Sequence, residues 1–163
     1  MPRRPLQLSD LPLRLEYYLL RYPTSCARAR QYLRRLCKQH DLPDAAAAIE
    51  DALARAETLG LLDDTALARG IVGSGEGRGD SRLRLKARLL ARNLPSTGEA
   101  LDSHDEWAAL QRFAQRRRLE ASLLAAPDAA SSQKVLAKLL RAGFPPDLVK
   151  RWRASVSRAS ESG

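Results

Sequence analysis

Arg84, Arg88 and Arg92 recur at i, i+4 and i+8, and Lys134, Lys138 and Arg141 at i, i+4 and i+7. On a helix such spacing gathers cations on one face. A guanidinium offers a planar fork of N–H donors and an ammonium a compact charge, so rows of them suit phosphate or carboxylate oxygens. Arg28 and Arg35 lie in a third basic stretch, and Arg116, Arg117 and Arg118 form a run. These eleven cations are the candidate binding residues for an anionic partner. The chemistry they offer is recognition rather than catalysis.

Other chemistry is weaker. The stretch GSGEGRGDS (73–81) has the glycines of a phosphate loop, but Asp80 follows Gly79 where a lysine is needed, and no strand precedes it. It reads as a flexible connection. Asp102, His104, Asp105 and Glu106 have metal-ligand types, yet acids crowd the first turn of helices for electrostatic reasons. Cys26 and Cys37, eleven residues apart, would be separated by about 16 Å on one helix, too far for a mutual disulfide. Neither cysteine has a histidine–acid pair legible around it. His40 reads as a loop residue, and Trp107, Phe113 and Trp152 as core anchors. No catalytic, metal-binding or cofactor-binding set emerges.

The elements that must position the cations are helical. Alanine, leucine and arginine dominate, and no stretch alternates as a strand does. Lys and Arg number 28 against 19 acids, a net charge of +9, which favours nucleic acid, an anionic membrane or an acidic protein surface. No run approaches the roughly 18 apolar residues of a spanning helix. Prolines break the N-terminus MPRRPLQLSDLP before any signal-length apolar run. A soluble, reduced, cytoplasmic protein is expected.

Periodicity and caps predict helices over 10–21, over 26–39 with Ser25 as cap, and a third, with Asp41 or Asp44 as cap, to Leu59 before Gly60. A short helix over 64–72 precedes the glycine-rich connection. Asp80 or Ser81 caps the helix that runs to Leu94-Pro95, and a turn or two follows. Helices over 104–124, 130–142 and 146–157 complete the chain, with a frayed tail.

Apolar-proline steps fall at Leu42-Pro43, Leu94-Pro95 and Phe144-Pro145, at intervals of 52 and 50 residues. A near-constant period of this size marks stacked supersecondary units. Leu33, Leu89 and Leu139 align the middle helices. Each has a cation five residues earlier: Arg28, Arg84 and Lys134. The expected fold is an elongated all-α tandem array of three three-helix repeats. Its boundaries are 10–62, 63–103 and 104–158, with a flexible stretch over 1–9 and a disordered tail over 159–163.

In this order the segments resemble one family. GLLDDTALARGIV (60–72) is similar to the passage from first to second repeat in RecX-family recombination regulators. YYLLRYPTSCARARQYL (17–33) resembles their opening helix, turn and Ser-capped second helix, and RGDSRLRLKARLLARNL (78–94) their basic second-repeat helix. DEWAALQRFAQRRR (105–118) and KVLAKLLRAGFPPDLVKRW (134–152) resemble the third repeat. The likeness spans about residues 15–155. The chain departs from the pattern at Arg28-Ala29, at Leu67, at Gly79-Asp80-Ser81-Arg82 in place of a Gly-aromatic-Gly-Pro loop, and at Arg88 in place of a glutamate. The resemblance implies a monomeric, non-enzymatic negative regulator of homologous recombination, DNA repair and the SOS response. Such a protein binds the RecA–single-stranded-DNA filament and lowers its growth, ATPase, strand-exchange and co-protease activities. The alternative reading is a basic helical protein that binds DNA directly, without acting on RecA.

Overall fold

A computed structural model describes residues 5–96 and 98–161. The expectations for residues 1–4, 162 and 163 lie outside the described residues. A 3-10 turn, Leu8–Asp10, leads into ten helices: α1 Leu11–Arg21, α2 Cys26–Gln39, α3 Ala46–Thr58, α4 Asp64–Arg78, α5 Arg82–Ala91, α6 Glu99–Asp102, α7 Glu106–Arg116, α8 Leu119–Leu124, α9 Ala129–Arg141 and α10 Pro146–Glu161. The described residues are all-helical, without strands. No described helix is long and apolar enough to cross a membrane.

The chain forms two compact units. The first comprises residues 1–69 and 90–95, the second 70–89 and 96–163. In the first, Leu11, Leu15 and Leu19 of α1 meet Ala29, Leu33 and Cys37 of α2 and Ile49, Ala52, Leu53 and Ala56 of α3. The α1 and α2 sets run at i, i+4, i+8 and the α3 set at i, i+3, i+4, i+7, each the spacing of a helix that buries one face. Tyr18 and Tyr32 stack at 4.0 Å beside this core. In the second unit, Ala109, Leu110, Phe113 and Ala114 of α7 pack with Val135 and Leu139 of α9 and Val149, Trp152 and Val156 of α10. Phe113 and Phe144 meet edge-to-face at 5.5 Å. Trp107, half-buried, carries Arg151 over its ring at 4.5 Å.

Two internal segments differ from expectation, and α10 runs on to Glu161 where a disordered tail is expected from 159. Residues 73–78, read as a flexible connection, continue α4 to Arg78. Gly70, Gly73, Gly75 and Gly77 each cost that helix about 1 kcal/mol relative to alanine, so packing rather than propensity holds it. Gly75 is buried, and a Cβ there would fall 2.2 Å from Leu85 Cδ2. Gly79 ends the helix at φ +75°, and a Cβ would lie 2.6 Å from Phe113 N and 2.8 Å from Ala109 O. The turn after α4 therefore presses its backbone against α7, as only glycine allows. The second difference lies in 104–124, where one expected helix is two. Arg118 adopts φ +51° between α7 and α8, a left-handed break at a residue whose type gives no warning of it.

Candidate anion-binding site

Ser81 prepares the site by freeing Asp80. As the N-terminal cap of α5, Ser81 accepts from Arg84 N at 3.3 Å and donates to the carbonyl of Ala142 at 2.6 Å. Asp80, an equally good cap by type, is left to make other contacts. It is buried, 4% exposed, and three guanidiniums surround it. Arg88 Nη1 lies 2.8 Å from its carboxylate, Arg78 Nε 3.4 Å and Arg84 Nη1 3.5 Å. A buried carboxylate demands such partners.

Arg116 and Arg117, at the C-terminal end of α7, complete the setting. With Arg78, Asp80, Arg84, Arg88 and Phe113 they line a cavity of about 320 Å³. Arg117 lies over the Phe113 ring at 4.7 Å, and Arg116 Nη1 donates to the carbonyl of Arg78 at 3.4 Å. Five guanidiniums face one carboxylate, so the cavity carries a net +4 from these residues. It can hold an anion; it offers no nucleophile and no general base other than a carboxylate already occupied.

Of the eleven candidate cations, Arg84, Arg88, Arg116 and Arg117 are brought together here. Arg28 is used inside the fold: its guanidinium donates to the carbonyl of Ala91 at the end of α5. Arg92 lies past that helix end, so the expected row Arg84–Arg88–Arg92 loses its third member. Lys134, Lys138 and Arg141 are exposed on α9, with Arg141 Nε donating to Ala137 O at 3.2 Å. Arg35 is exposed on α2, and Arg118 is spent on the left-handed break.

Asp80 and Arg78 were missed among the candidates. The spacing carries a signal, because Asp80, Arg84 and Arg88 stand at i, i+4 and i+8, but an acid at a helix start reads first as a cap. A second network near α7 was also illegible. His104, its side chain fully buried, sits with Nδ1 3.2 Å from Glu76 and Nε2 3.4 Å from Glu106, the latter without hydrogen-bond alignment. Glu106 also accepts from Arg82 N at 2.8 Å. No group of three or more metal-ligand side chains is gathered among the described residues.

The thiols are poor nucleophiles. Burial pushes both Cys26 and Cys37 above the ordinary thiol range. Around Cys26 a cavity of about 410 Å³ is lined by Glu57, Asp63 and Asp64; Glu57 and Asp64 oppose a thiolate further, against a pull from Arg30 smaller than the effect of burial.

Comparison with protein-family models, curated proteins and solved structures yields no match.

Proposed function

We propose that this protein restrains a RecA-type recombinase by binding its filament on single-stranded DNA, using the arginine cavity and the exposed cations of α9 as contacts. The observation that carries the reading is the convergence of Arg78, Arg84, Arg88, Arg116 and Arg117 on one cavity. A filament presents phosphates and acidic protomer surfaces, and a preassembled guanidinium cluster is suited to either. The choice of recombinase comes from the segments over residues 15–155 that resemble RecX-family regulators. Asp80 and Arg88, two of the positions where the chain departs from that pattern, meet as an ion pair at 2.8 Å. The altered positions thus compensate one another in charge.

The tandem array belongs to the same proposal, and two hydrogen bonds support it. Ser25 stands eight residues before Leu33, and Ser81 eight before Leu89. Each caps its own helix and also donates to a carbonyl three residues after the next aligned leucine: Ser25 to Arg92 O at 2.5 Å, Ser81 to Ala142 O at 2.6 Å. The residue after each acceptor, Asn93 or Gly143, is left-handed, at φ +55° and +92°. A device repeated at matched positions is what stacked units require. In this reading the protein acts as a cytoplasmic monomer and performs no catalysis.

Direct binding to DNA without the recombinase is the second reading, favoured by the same +4 cavity. The two separate in a titration of RecA ATPase on single-stranded DNA at near-physiological salt. A filament regulator inhibits at one molecule per many protomers. Tight binding to bare DNA with unchanged ATPase would refute the filament reading and leave the second.

A further inference from the structure

We infer that the arginine cavity is a subsite for one backbone phosphate of single-stranded nucleic acid, and that Asp80 is its positioning residue. The inference deepens the proposed function and rests on its premise that the basic face meets nucleic acid.

Asp80 cannot be the cavity's full counter-charge. The guanidiniums of Arg78, Arg84 and Arg88 approach it to 3.4, 3.5 and 2.8 Å, and Arg116 and Arg117 line the same space without an ion pair to it. A guanidinium has five N–H donors, so two carboxylate oxygens shared among three of them leave donors available. Arg78 is further tied, Nη1 to Ser74 Oγ at 2.6 Å. Arg84, Arg88, Arg116 and Arg117 are therefore the groups that would take a ligand's oxygens.

The arrangement is ordered from beneath. Asp80 is buried on the floor, while the side chains of Arg84 and Arg88 are each 40% exposed. An arginine otherwise loses considerable rotamer freedom when it grips a ligand, and a carboxylate that holds the fork beforehand reduces that loss. Arg117 is ordered by the Phe113 face and Arg116 by the Arg78 carbonyl. A volume of about 320 Å³ compares with about 30 Å³ for each water of the liquid, so a phosphate replaces several waters without displacing protein. Phosphate is favoured over carboxylate because four forks from two helices can surround more oxygens than one carboxylate has.

Affinity of a labelled oligothymidylate, measured by anisotropy over a range of salt, tests the inference. Arg116→Ala with Arg117→Ala removes two ligand forks without stripping Asp80 of its partners. The expected result is a loss of about tenfold or more at 0.1 M salt, with the slope of log affinity against log salt reduced by about 0.7, the share of one phosphate on a single strand. Lys150→Ala with Arg153→Ala, exposed on α10 and outside the proposed contacts, is the control for loss of two exposed charges elsewhere. An R116A/R117A protein that binds with parental affinity and slope overturns the subsite, and so does a loss no larger than the control's.

Asp80→Asn gives opposite signs for the two explanations. A diffuse positive surface gains a charge and binds more tightly. A positioned subsite loses its anchor and binds several-fold more weakly despite the added charge. The structural alternative is checked by the arginine Nε–H NMR signals. In the parent, inorganic phosphate should shift Arg84, Arg88, Arg116 and Arg117. In D80N with an unchanged backbone spectrum those shifts should shrink. Tighter oligothymidylate binding by D80N, or undiminished shifts, overturns the positioning role. The ATPase titration is read separately: unchanged ATPase with the slope change present sinks the filament reading and leaves the subsite.

Discussion

Replacing Gly77 and Gly79 separately by alanine should move stability in opposite directions. Both lie in the stretch 73–79 whose glycines suggest a flexible connection. Gly77 is an exposed interior position of α4, and a Cβ there meets nothing within 4 Å. Alanine at such a site stabilises a helix by about 1 kcal/mol. Gly79 is left-handed, and its Cβ would collide with backbone atoms of Phe113 and Ala109, which cannot swing aside as a side-chain tip can. The left-handed conformation and the overpacking together cost on the order of 3 kcal/mol. With a urea dependence of about 2 kcal/mol per molar, the midpoint should rise by about 0.5 M in G77A and fall by about 1.5 M in G79A. Urea titrations followed by helical circular dichroism and by tryptophan fluorescence measure both. A hinge would absorb either substitution with little effect. Equal midpoints for parent, G77A and G79A would therefore refute the helix over 73–78 and the close approach of its end to α7.

Ser25→Ala and Ser81→Ala each remove a cap and a buried hydrogen bond to a distant carbonyl, so each should cost about 2 kcal/mol in chemical denaturation; a loss below about 0.5 kcal/mol would show that the paired contacts are incidental. Both cysteines should resist thiol reagents at neutral pH in the folded protein, with labelling that accelerates on adding denaturant; fast stoichiometric labelling of Cys26 in native buffer would contradict its raised thiol pKa. The hydrogen bond from Arg30 holds the Glu50 carboxyl below the usual carboxylate range. A depressed folded-state value stabilises above the unfolded pKa, about 4.3, and the benefit is lost as pH falls through the folded value. The melting temperature of the parent should accordingly drop more steeply than that of Glu50→Gln in acid, and parallel curves would exclude the linkage. Asp105→Ala should destabilise α7 by about 1 kcal/mol, since Asp105 accepts from Ala108 N at 2.9 Å; a melting temperature equal to the parent's would show the cap to be dispensable.

Much of the helical content was legible because local rules and tertiary packing agree over most of the chain. Leu33, Leu89 and Leu139, aligned by spacing alone, are all buried, and Ser25 caps α2 as its type and position suggest. Where packing overrode propensity, the sequence misled. Four glycines argue against α4, yet Gly75 is small because Leu85 occupies the space a side chain would take. Arg118 turns left-handed without glycine or asparagine to announce it. The site was half visible. Arg84, Arg88, Arg116 and Arg117 stood out as cations, but a charge run does not reveal which members share a cavity. Asp80 was hidden by its own versatility, as an acid at a helix start satisfies the capping rule before any tertiary role is considered. Only the hydrogen bond that Ser81 Oγ accepts from Arg84 N shows that another residue took the cap.

The division of the chain has a consequence for dissection. Residues 1–69 and 90–95 form one unit and 70–89 and 96–163 the other, so the polypeptide passes from one to the other three times. The first passage lies within α4, the second within α5, and the third between Pro95 and Ser96. No single cut can yield two fragments that each contain a whole unit. A nick at the third passage severs the piece 70–89 from the rest of its own unit, and with it Arg78, Asp80, Arg84 and Arg88 from Arg116 and Arg117. Truncations designed by chain position will therefore divide the cavity along with the fold, whereas point substitutions leave both intact.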